Sequence, residues 1–268
     1  MKALVVVAAA LAVGLAIPVF GSEYALSFTV QLFVFVALAY SWNLIGGYAG
    51  YTHFGQVSFF GVGAYVGALL IQGGTGLYLP PVSDLKPLYA VLGLLALALV
   101  LLTWRLDNSR LGLKLLAIRE DETAADALGI RTTRLKIAAF VASAVAPAAV
   151  GALYATYLGF IDPTTAFAPM TELTTIAMVL LGGMGTVLGP LVGVLVMSVV
   201  NELLWSRFPE VYLAIVGVAI LVVVLFMPRG ILGVTARRSW AWLPVARGSL
   251  RRLADRPRPG RPKEAQPA

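Results

Sequence analysis

The sequence predicts an all-α fold, a polytopic transmembrane helix bundle of about eight spans with some glycine-broken segments and one helical loop on the cytoplasmic side. Composition is the first observation: of 268 residues, 59% are hydrophobic and 12% are charged, whereas a soluble domain carries about 25% charged residues. The second is a series of apolar runs, most of them long enough to cross a hydrocarbon layer of about 30 Å. The third is one long charged segment, which has to lie in water because a central Asp or Arg costs a membrane helix roughly 2.5–3.5 kcal/mol.

Polar links rich in Gly and Pro separate the apolar runs. We expect spans at residues 3–20, 25–45, one within 46–70, then 88–104, 137–157, 172–181 with the glycines that follow, 191–204 and 211–227. The 3–20 run is not followed by a clear small-residue cleavage site, so we expect an uncleaved first helix rather than a signal peptide. Pro147 lies inside the fifth span and predicts a kink there.

The charged segment, residues 109–136, is called the docking segment here. Leu111, Leu115 and Ile118 recur in it at helical spacing. Asp121 stands where an N-cap would begin a second short helix, and Gly129 stands where that helix would end. The segment is therefore predicted to form two short helices outside the bilayer, and a solvated loop that only connects two spans is the alternative.

The basic residues set the orientation. In the eight-span arrangement every Lys and Arg except Lys86 and Arg207 lies on the side of the docking segment and of both termini. Short loops rich in Lys and Arg stay in the cytoplasm, so we expect this side to be cytoplasmic. Residues 1–234 are predicted to form the transmembrane domain, and residues 235–268 a basic tail, rich in Pro and Arg, that is disordered.

Polar and glycine residues within the apolar spans are candidates for the lining of a path through the bundle. A polar side chain in a bilayer needs a partner or a watery cavity, and paired glycine-broken segments accompany transport paths. Close packing of helices is the alternative interpretation of the glycines. The candidates are Asn43, Gly46, Gly47, Gly50, His53, Gln56, Ser58, Gly61, Gly63, Gly182, Gly183 and Gly185.

Catalytic chemistry finds little support in the sequence. The chain has no cysteine and one histidine, so thiolate metal sites and relays of several histidines are excluded. His53 and Ser58 are five residues apart, which would place them on different faces of a helix rather than facing each other. A GxxxxGK[ST] phosphate loop is also missing, so we expect this chain not to bind or hydrolyse ATP itself and not to act as an enzyme.

Four stretches carry a resemblance to a known family. In chain order they read GGYAGYTHFGQVSFFGVGAYVGALL, RLGLKLLAIREDETAADALGI, GGMGTVLGPLVGVLV and LFMPRGILG. Together they resemble the membrane permease subunits of ABC importers for branched-chain amino acids, over about residues 25–233. Four ordered motifs at similar spacing are specific, whereas each one alone is not.

The resemblance implies a permease without a bound cofactor that moves leucine, isoleucine or valine across the cytoplasmic membrane by alternating access. It implies a second, similar permease, two cytoplasmic ATPase subunits that carry ATP and Mg, and an extracytoplasmic binding protein as partners. By the same resemblance the contact with the ATPase falls in the docking segment, at Arg119, Glu120, Asp121, Glu122, Ala124, Ala125 and Gly129.

The chain also departs from the family pattern. Importers of this kind have a Glu directly before the two alanines, whereas here Thr123 precedes Ala124 and the acid is Glu122. Importers of urea and short amides share much of the pattern and are the first alternative. An ion-coupled secondary carrier is the second, and it would depend on Glu202 or His53, which both lie near the ends of predicted spans.

Overall fold

The computed structural model describes residues 23–72, 85–207, 217–218, 221 and 230–232. Three predicted parts of the chain lie outside the described residues: the span at 3–20, most of the span at 211–227, and the tail from 235 onward. Most of the link after the third span and most of the link before the last span also lie outside them. Within these ranges the regular structure is helical, with no strand.

Nine α-helices run in order through the described residues, and we number them along the chain. They are α1 (Glu23–Trp42), α2 (Gln56–Gln72), α3 (Leu85–Asp107), α4 (Arg110–Glu120), α5 (Glu122–Ala127), α6 (Thr132–Leu158), α7 (Pro163–Ala166), α8 (Pro169–Gly182) and α9 (Gly189–Arg207). The wider, π-helical turns of Asn43–Ala49 prolong α1.

Four helical stretches of the described chain are long and apolar enough to cross a membrane: Tyr24–Ala49, Leu85–Asp107, Thr132–Leu158 and Pro163–Gly182. Two shorter apolar helices, Gln56–Leu70 and Gly189–Leu204, accompany them. The all-helical fold is thus confirmed, and its helices extend a few residues beyond the predicted spans. The count of eight stays a prediction, because two of the expected spans lie wholly or mostly outside the described residues.

The first of these stretches, α1 with its π-helical end, lies at the centre of the described bundle. Val30, Val36 and Ala37 have no solvent exposure at all, and α1 contacts α3, α6, α8 and α9. A helix that is apolar on every side is expected where neighbours surround it. This central position places both ends of α1 next to the candidate sites described below.

The third predicted span begins later than the sequence suggested. Residues 46–49 continue α1, Gly50 ends it with φ +78°, and residues 51–55 return along α1 without helical structure. The Gln56 side-chain amide then donates to the Leu38 carbonyl oxygen at 2.7 Å. Because Leu38 is eleven residues before Ala49, α2 begins beside the middle of this long helix rather than at its end.

Small residues bring α2 and α6 into close contact. A Cβ atom on Gly63 would lie 2.0 Å from the Ala148 carbonyl oxygen, and one on Gly151 would lie 2.0 Å from the Phe60 carbonyl oxygen. Only glycine allows two backbones to approach this closely. At Gly63 the alternative interpretation, close helix packing, therefore describes the structure.

Candidate functional site

The docking segment folds as predicted into two short helices, α4 and α5. Ser109 begins α4 by accepting the Gly112 amide at 3.1 Å, and the Asp121 carboxylate begins α5 by accepting the Ala124 amide at 2.9 Å. Gly129 has φ +79°, and the Ile130 amide closes the turn by donating to the Ala125 carbonyl oxygen at 3.1 Å. The segment is therefore helical as predicted, and its role as a docking surface stays a prediction.

The two alanines of α5 do not share one exposed face. Ala124 is exposed, whereas Ala125 is 2% exposed and packs against the rest of the chain. Ala125, one of the residues expected at the contact with the ATPase, is therefore covered by its own chain. Leu128, with 81% of its surface exposed, is the large apolar side chain at the tip of this segment.

Glu122 is held by its own chain. Lys136 Nζ donates to one of its carboxylate oxygens at 2.5 Å, and the Tyr51 hydroxyl donates to the other. The ammonium group of Lys136 and the Tyr51 hydroxyl together lower the pKa of the Glu122 carboxyl. Glu122 thus ties the docking segment to the return loop after α1, whereas the neighbouring acids Glu120 and Asp121 are exposed.

Arg119 connects the docking segment to the bundle. Its Nη1 atom donates to the Gly47 carbonyl oxygen at 2.6 Å, at the π-helical end of α1. A Cβ atom on Gly185 would lie 2.5 Å from the same nitrogen, and one on Gly50 would lie 2.7 Å from the Arg119 side chain. Arg119 therefore fills a space left by glycines that the sequence analysis had assigned to a translocation path.

The two glycine clusters meet at this point. Asn43 accepts the Gly185 amide at 2.8 Å through its side-chain oxygen and donates to the Thr186 carbonyl oxygen at 3.2 Å. A Cβ atom on Gly47 would lie 2.5 Å from the Gly185 backbone nitrogen. The end of α1 and the turn between α8 and α9 are thus fastened directly to each other, and we call Asn43, Gly47, Arg119 and Gly185 the clasp.

The remaining glycines among the candidates also lie against protein atoms. Gly46 faces the Trp42 ring, Gly61 faces the Phe167 ring, and a Cβ atom on Gly182 would lie 1.8 Å from the Gly189 carbonyl oxygen. Gly183, with φ +121°, ends α8 by donating its amide to the Val179 carbonyl oxygen at 2.9 Å. These glycines therefore contribute to contacts within the protein. A role for them in lining a path stays a prediction.

His53 does not lie on a helix. It belongs to the return loop, where its ring stacks on Trp42 with centroids 6.2 Å apart and meets Phe140 edge-on at 5.7 Å. Both ring nitrogens are buried and have no hydrogen-bond partner. The argument that placed His53 and Ser58 on two faces of one helix is thus wrong, and Ser58, the third residue of α2, is exposed.

Glu172 is a buried acid at the beginning of the span predicted at 172–181. It lies in the first turn of α8 with 4% exposure. Its two carboxylate oxygens accept the amides of Gln56, at 3.2 Å, and Val57, at 2.8 Å. The first four N–H groups of a helix have no partner within it, and the Glu172 carboxylate accepts two of those of α2. Its negative charge also lies at the positive end of the α2 dipole.

A cavity of about 470 Å³ lies between α1, α8 and α9. Its polar lining residues are Gln31, Thr171, Thr174, Ser198, Asn201 and Glu202. Phe28, Leu32, Phe35 and Met170 provide apolar walls. None of the predicted path residues is among these described lining residues. The polar residues within otherwise apolar runs, notably Gln31 and Asn201, are the signal in the sequence that could have indicated this cavity.

The cavity lies far from the docking segment. Gln31 is sixteen residues before Gly47 on the same helix, which corresponds to about 24 Å at 1.5 Å per residue. Glu202 is near the end of α9, where the Tyr24 hydroxyl donates to its carboxylate. The clasp and the cavity therefore lie in opposite halves of the bundle.

The region that holds the docking segment and the turn between α8 and α9 is also similar to known proteins. The family described as the permease component of branched-chain amino acid transport systems matches residues 77–225. This range contains the docking segment, the turn between α8 and α9, and most of the polar residues that line the cavity. The chain belongs to this family.

Individual relatives agree with the family assignment. The chain is 32% identical over 148 residues to the high-affinity branched-chain amino acid transport system permease protein LivM of Salmonella typhimurium, covering 55% of this chain and 34% of that protein. It is 34% identical over 138 residues to LivH of Escherichia coli K12, covering 51% and 44%. It is 32% identical over 158 residues to the autoinducer 2 import system permease protein LsrC of Yersinia pseudotuberculosis, covering 53% and 44%.

Each match thus spans less than half the length of the curated relative. No solved structure matches the chain.

Proposed function

We propose that this chain is a permease subunit of an ATP-driven, binding-protein-dependent importer that translocates branched-chain amino acids across the cytoplasmic membrane. Its family membership supports the transport role. The relatives of the two Liv types support the substrate, since both are named for branched-chain amino acids. The clasp is the single observation in the structure that carries the mechanism.

The clasp supports coupling because it joins three elements through direct hydrogen bonds. A displacement of α4 has to break the 2.6 Å bond from Arg119 to Gly47 or move the end of α1 with it. The end of α1 in turn is bonded to the turn between α8 and α9 through Asn43. A force applied outside the bilayer is thereby passed to two membrane helices at once, as hinge and shear motions of packed helices require.

The partners in this proposal are a second homologous permease, two cytoplasmic ATPase subunits that hold ATP and Mg, and an extracytoplasmic binding protein. The ATPase is expected to meet the docking segment at Ala124 and Leu128, because these residues of α5 and the turn after it are exposed. Closing of the two ATPase subunits would displace α4 and α5 and shift the bundle between outward and inward states. No covalent bond is made or broken in this chain.

The test is co-purification of the ATPase together with an uptake assay. Leu128→Gln is expected to weaken retention of the ATPase at least fivefold while the chain itself is recovered in detergent at the parental yield, because Leu128 contributes little to its own fold. Leu158→Gln is the matched control, since Leu158 is also an exposed leucine. It lies at the end of α6 that is remote from the docking segment. It should retain the ATPase fully.

Uptake by the reconstituted assembly then tests the substrate. L-leucine and L-valine are expected to be imported in an ATP-dependent way, whereas urea is not. ATP-dependent import of urea without leucine would replace the substrate assignment by the urea and short-amide alternative. Import that continues without ATP but follows an ion gradient would replace the whole proposal by the secondary-carrier alternative.

A further inference from the structure

We propose that the corner between α3 and α4 binds an anionic phospholipid of the surrounding membrane. The lipid phosphate meets Arg105, Arg110 and Lys114, and one acyl chain lies along the outer side of α3. This lipid is a bound partner and not a transported molecule, so the proposal goes beyond the proposed function and does not depend on it. Three features carry it: cations without an ion pair, a rigid turn, and an apolar stripe that ends at one of the cations.

Cations outnumber acids at this corner. Residues 104–119 contain four cations and one acid. The acid, Asp107, already accepts the Tyr48 hydroxyl at 3.1 Å, and Arg119 belongs to the clasp. The other three cations are exposed, and within the described part of the chain none of them forms an ion pair: Arg105, Arg110 and Lys114. A phosphate group supplies the negative charge and the strong acceptors that such side chains bind.

The turn between α3 and α4 is held by hydrogen bonds of its own. The Ser109 amide and hydroxyl both donate to the Leu106 carbonyl oxygen, at 2.9 and 2.8 Å. The Asn108 side-chain amide donates to the Trp104 carbonyl oxygen at 2.8 Å. A Cβ atom on Gly112 would lie 2.1 Å from the same Leu106 oxygen, so the first turn of α4 packs directly on the end of α3. The cations on either side of this turn therefore hold fixed backbone positions, which lowers the entropy cost of binding.

An apolar stripe on α3 leads to the corner. Its members are exposed and follow one another at three or four residues, which places them on one side of the helix: Val91, Leu94, Ala98 and Leu101. Arg105 continues the stripe one turn further on. From Val91 to Arg105 the stripe rises about 21 Å at 1.5 Å per residue, more than the about 15 Å of hydrocarbon in one leaflet. An acyl chain can therefore lie along the stripe while its headgroup reaches Arg105.

The exposed face of α4 combines cations with leucines. Arg110 and Lys114 are four residues apart and lie one above the other on the same side of the helix. Leu111 and Leu113 are exposed beside them. At a membrane surface such a face places its leucines at the acyl boundary and its cations at the phosphates. A free phosphate ion would use the cations and leave the leucines in water.

A protein partner outside the bilayer is the other candidate for this face. Such a partner could cover the cations of α4. It could not cover Leu94 or Ala98, because these residues lie within a helix that is long and apolar enough to cross a membrane. One lipid covers both parts of the surface, which favours the lipid.

The experiment measures the apparent melting temperature of the purified full chain in detergent with added lipid. Phosphatidylglycerol is expected to raise it by roughly 3 °C or more above the value in phosphatidylcholine with the same acyl chains, because a ligand that binds the folded state stabilises it. Glycerol 3-phosphate and inorganic phosphate should give no such rise. If the two lipids act alike, or if free phosphate acts as strongly as phosphatidylglycerol, the proposal is wrong.

Variants locate the effect at the corner. Arg110→Gln combined with Lys114→Gln is expected to reduce the difference between the two lipids by about half or more. The matched control is Arg131→Gln combined with Arg134→Gln, which removes the same charge from exposed positions of the docking segment and should keep the difference. An equal reduction in both double variants would show an effect of overall charge and no site at the corner. Arg105→Gln alone should also reduce the difference, and it decides the question if the first double variant is not recovered.

Two more comparisons address the leucines and the protein partner. Leu113→Gln should reduce the difference between the lipids, whereas Leu128→Gln, a change at another exposed leucine of the docking segment, should not. Retention of the ATPase is measured on the same variants. If Arg110→Gln combined with Lys114→Gln releases the ATPase and keeps the full lipid difference, this face belongs to the protein partner and the lipid proposal is overturned.

Discussion

Replacing Glu172 is expected to destabilise the bundle more than any surface change. The carboxylate accepts two amides at the first turn of α2, at 3.2 and 2.8 Å. In Glu172→Leu both donors lose their partner, and each buried, unsatisfied donor costs about 1–3 kcal/mol. The expected loss is therefore roughly 2–6 kcal/mol, the sum of two such costs. Glu172→Gln keeps one acceptor oxygen and should lose about half as much.

The assay is recovery of monodisperse protein from detergent solution after heating, which gives an apparent melting temperature. For a chain of about this size, 1 kcal/mol corresponds to roughly 2–4 °C, so Glu172→Leu should melt at least 4 °C below the parent. Glu172→Gln should lie between the two. The control Asp162→Asn changes an acid that also begins a helix, but one that asparagine can cap equally well. A Glu172→Leu variant that melts with the parent would show that the carboxylate does not hold the beginning of α2.

Three further predictions concern the clasp, the orientation and the tail. Gly47→Ala places a Cβ atom 2.5 Å from a backbone nitrogen, and such overpacking should lower the free energy of unfolding by about 1–3 kcal/mol. Gly55→Ala is the control, because its Cβ atom meets nothing within 4 Å. It should match the parent in melting temperature. A membrane-impermeant thiol reagent should label Asp126→Cys only from the cytoplasmic side and Thr164→Cys only from outside; labelling of the first from outside would reverse the orientation. Truncation after Val234 should leave uptake at the parental rate, and loss of uptake at normal expression would contradict a dispensable tail.

Local chemistry made parts of this structure predictable from the sequence. Asp121 and Gly129 bound a short helix because an N-cap acceptor and a left-handed C-terminal residue act within one turn. The apolar runs predicted helices because few other structures satisfy the backbone in a membrane. Such signals depend on neighbouring residues and need no knowledge of the rest of the fold.

The errors came from contacts between distant parts of the chain. Nothing near Arg119 in the sequence indicates that its guanidinium reaches the carbonyl of Gly47, seventy-two residues earlier. For the same reason nothing near Glu172 in the sequence indicates which helix end it holds, because that end is more than a hundred residues away. Ala125 was expected to be exposed because a six-residue helix shows too few turns to reveal which face is buried.

The bond between Glu172 and Val57 also has a consequence for the order of events during synthesis. Its two residues are 115 positions apart, and a ribosome adds about 5–20 residues per second. The beginning of α2 therefore leaves the ribosome roughly 6–23 s before the carboxylate that will accept its amides. Throughout that interval the first N–H groups of α2 lack the carboxylate that will accept them. In addition, α2 has 17 residues, fewer than the about 20 that a helix needs to span a bilayer. This nascent stage is the one at which a membrane chaperone or a water-filled translocation channel has the most to contribute to the maturation of the chain.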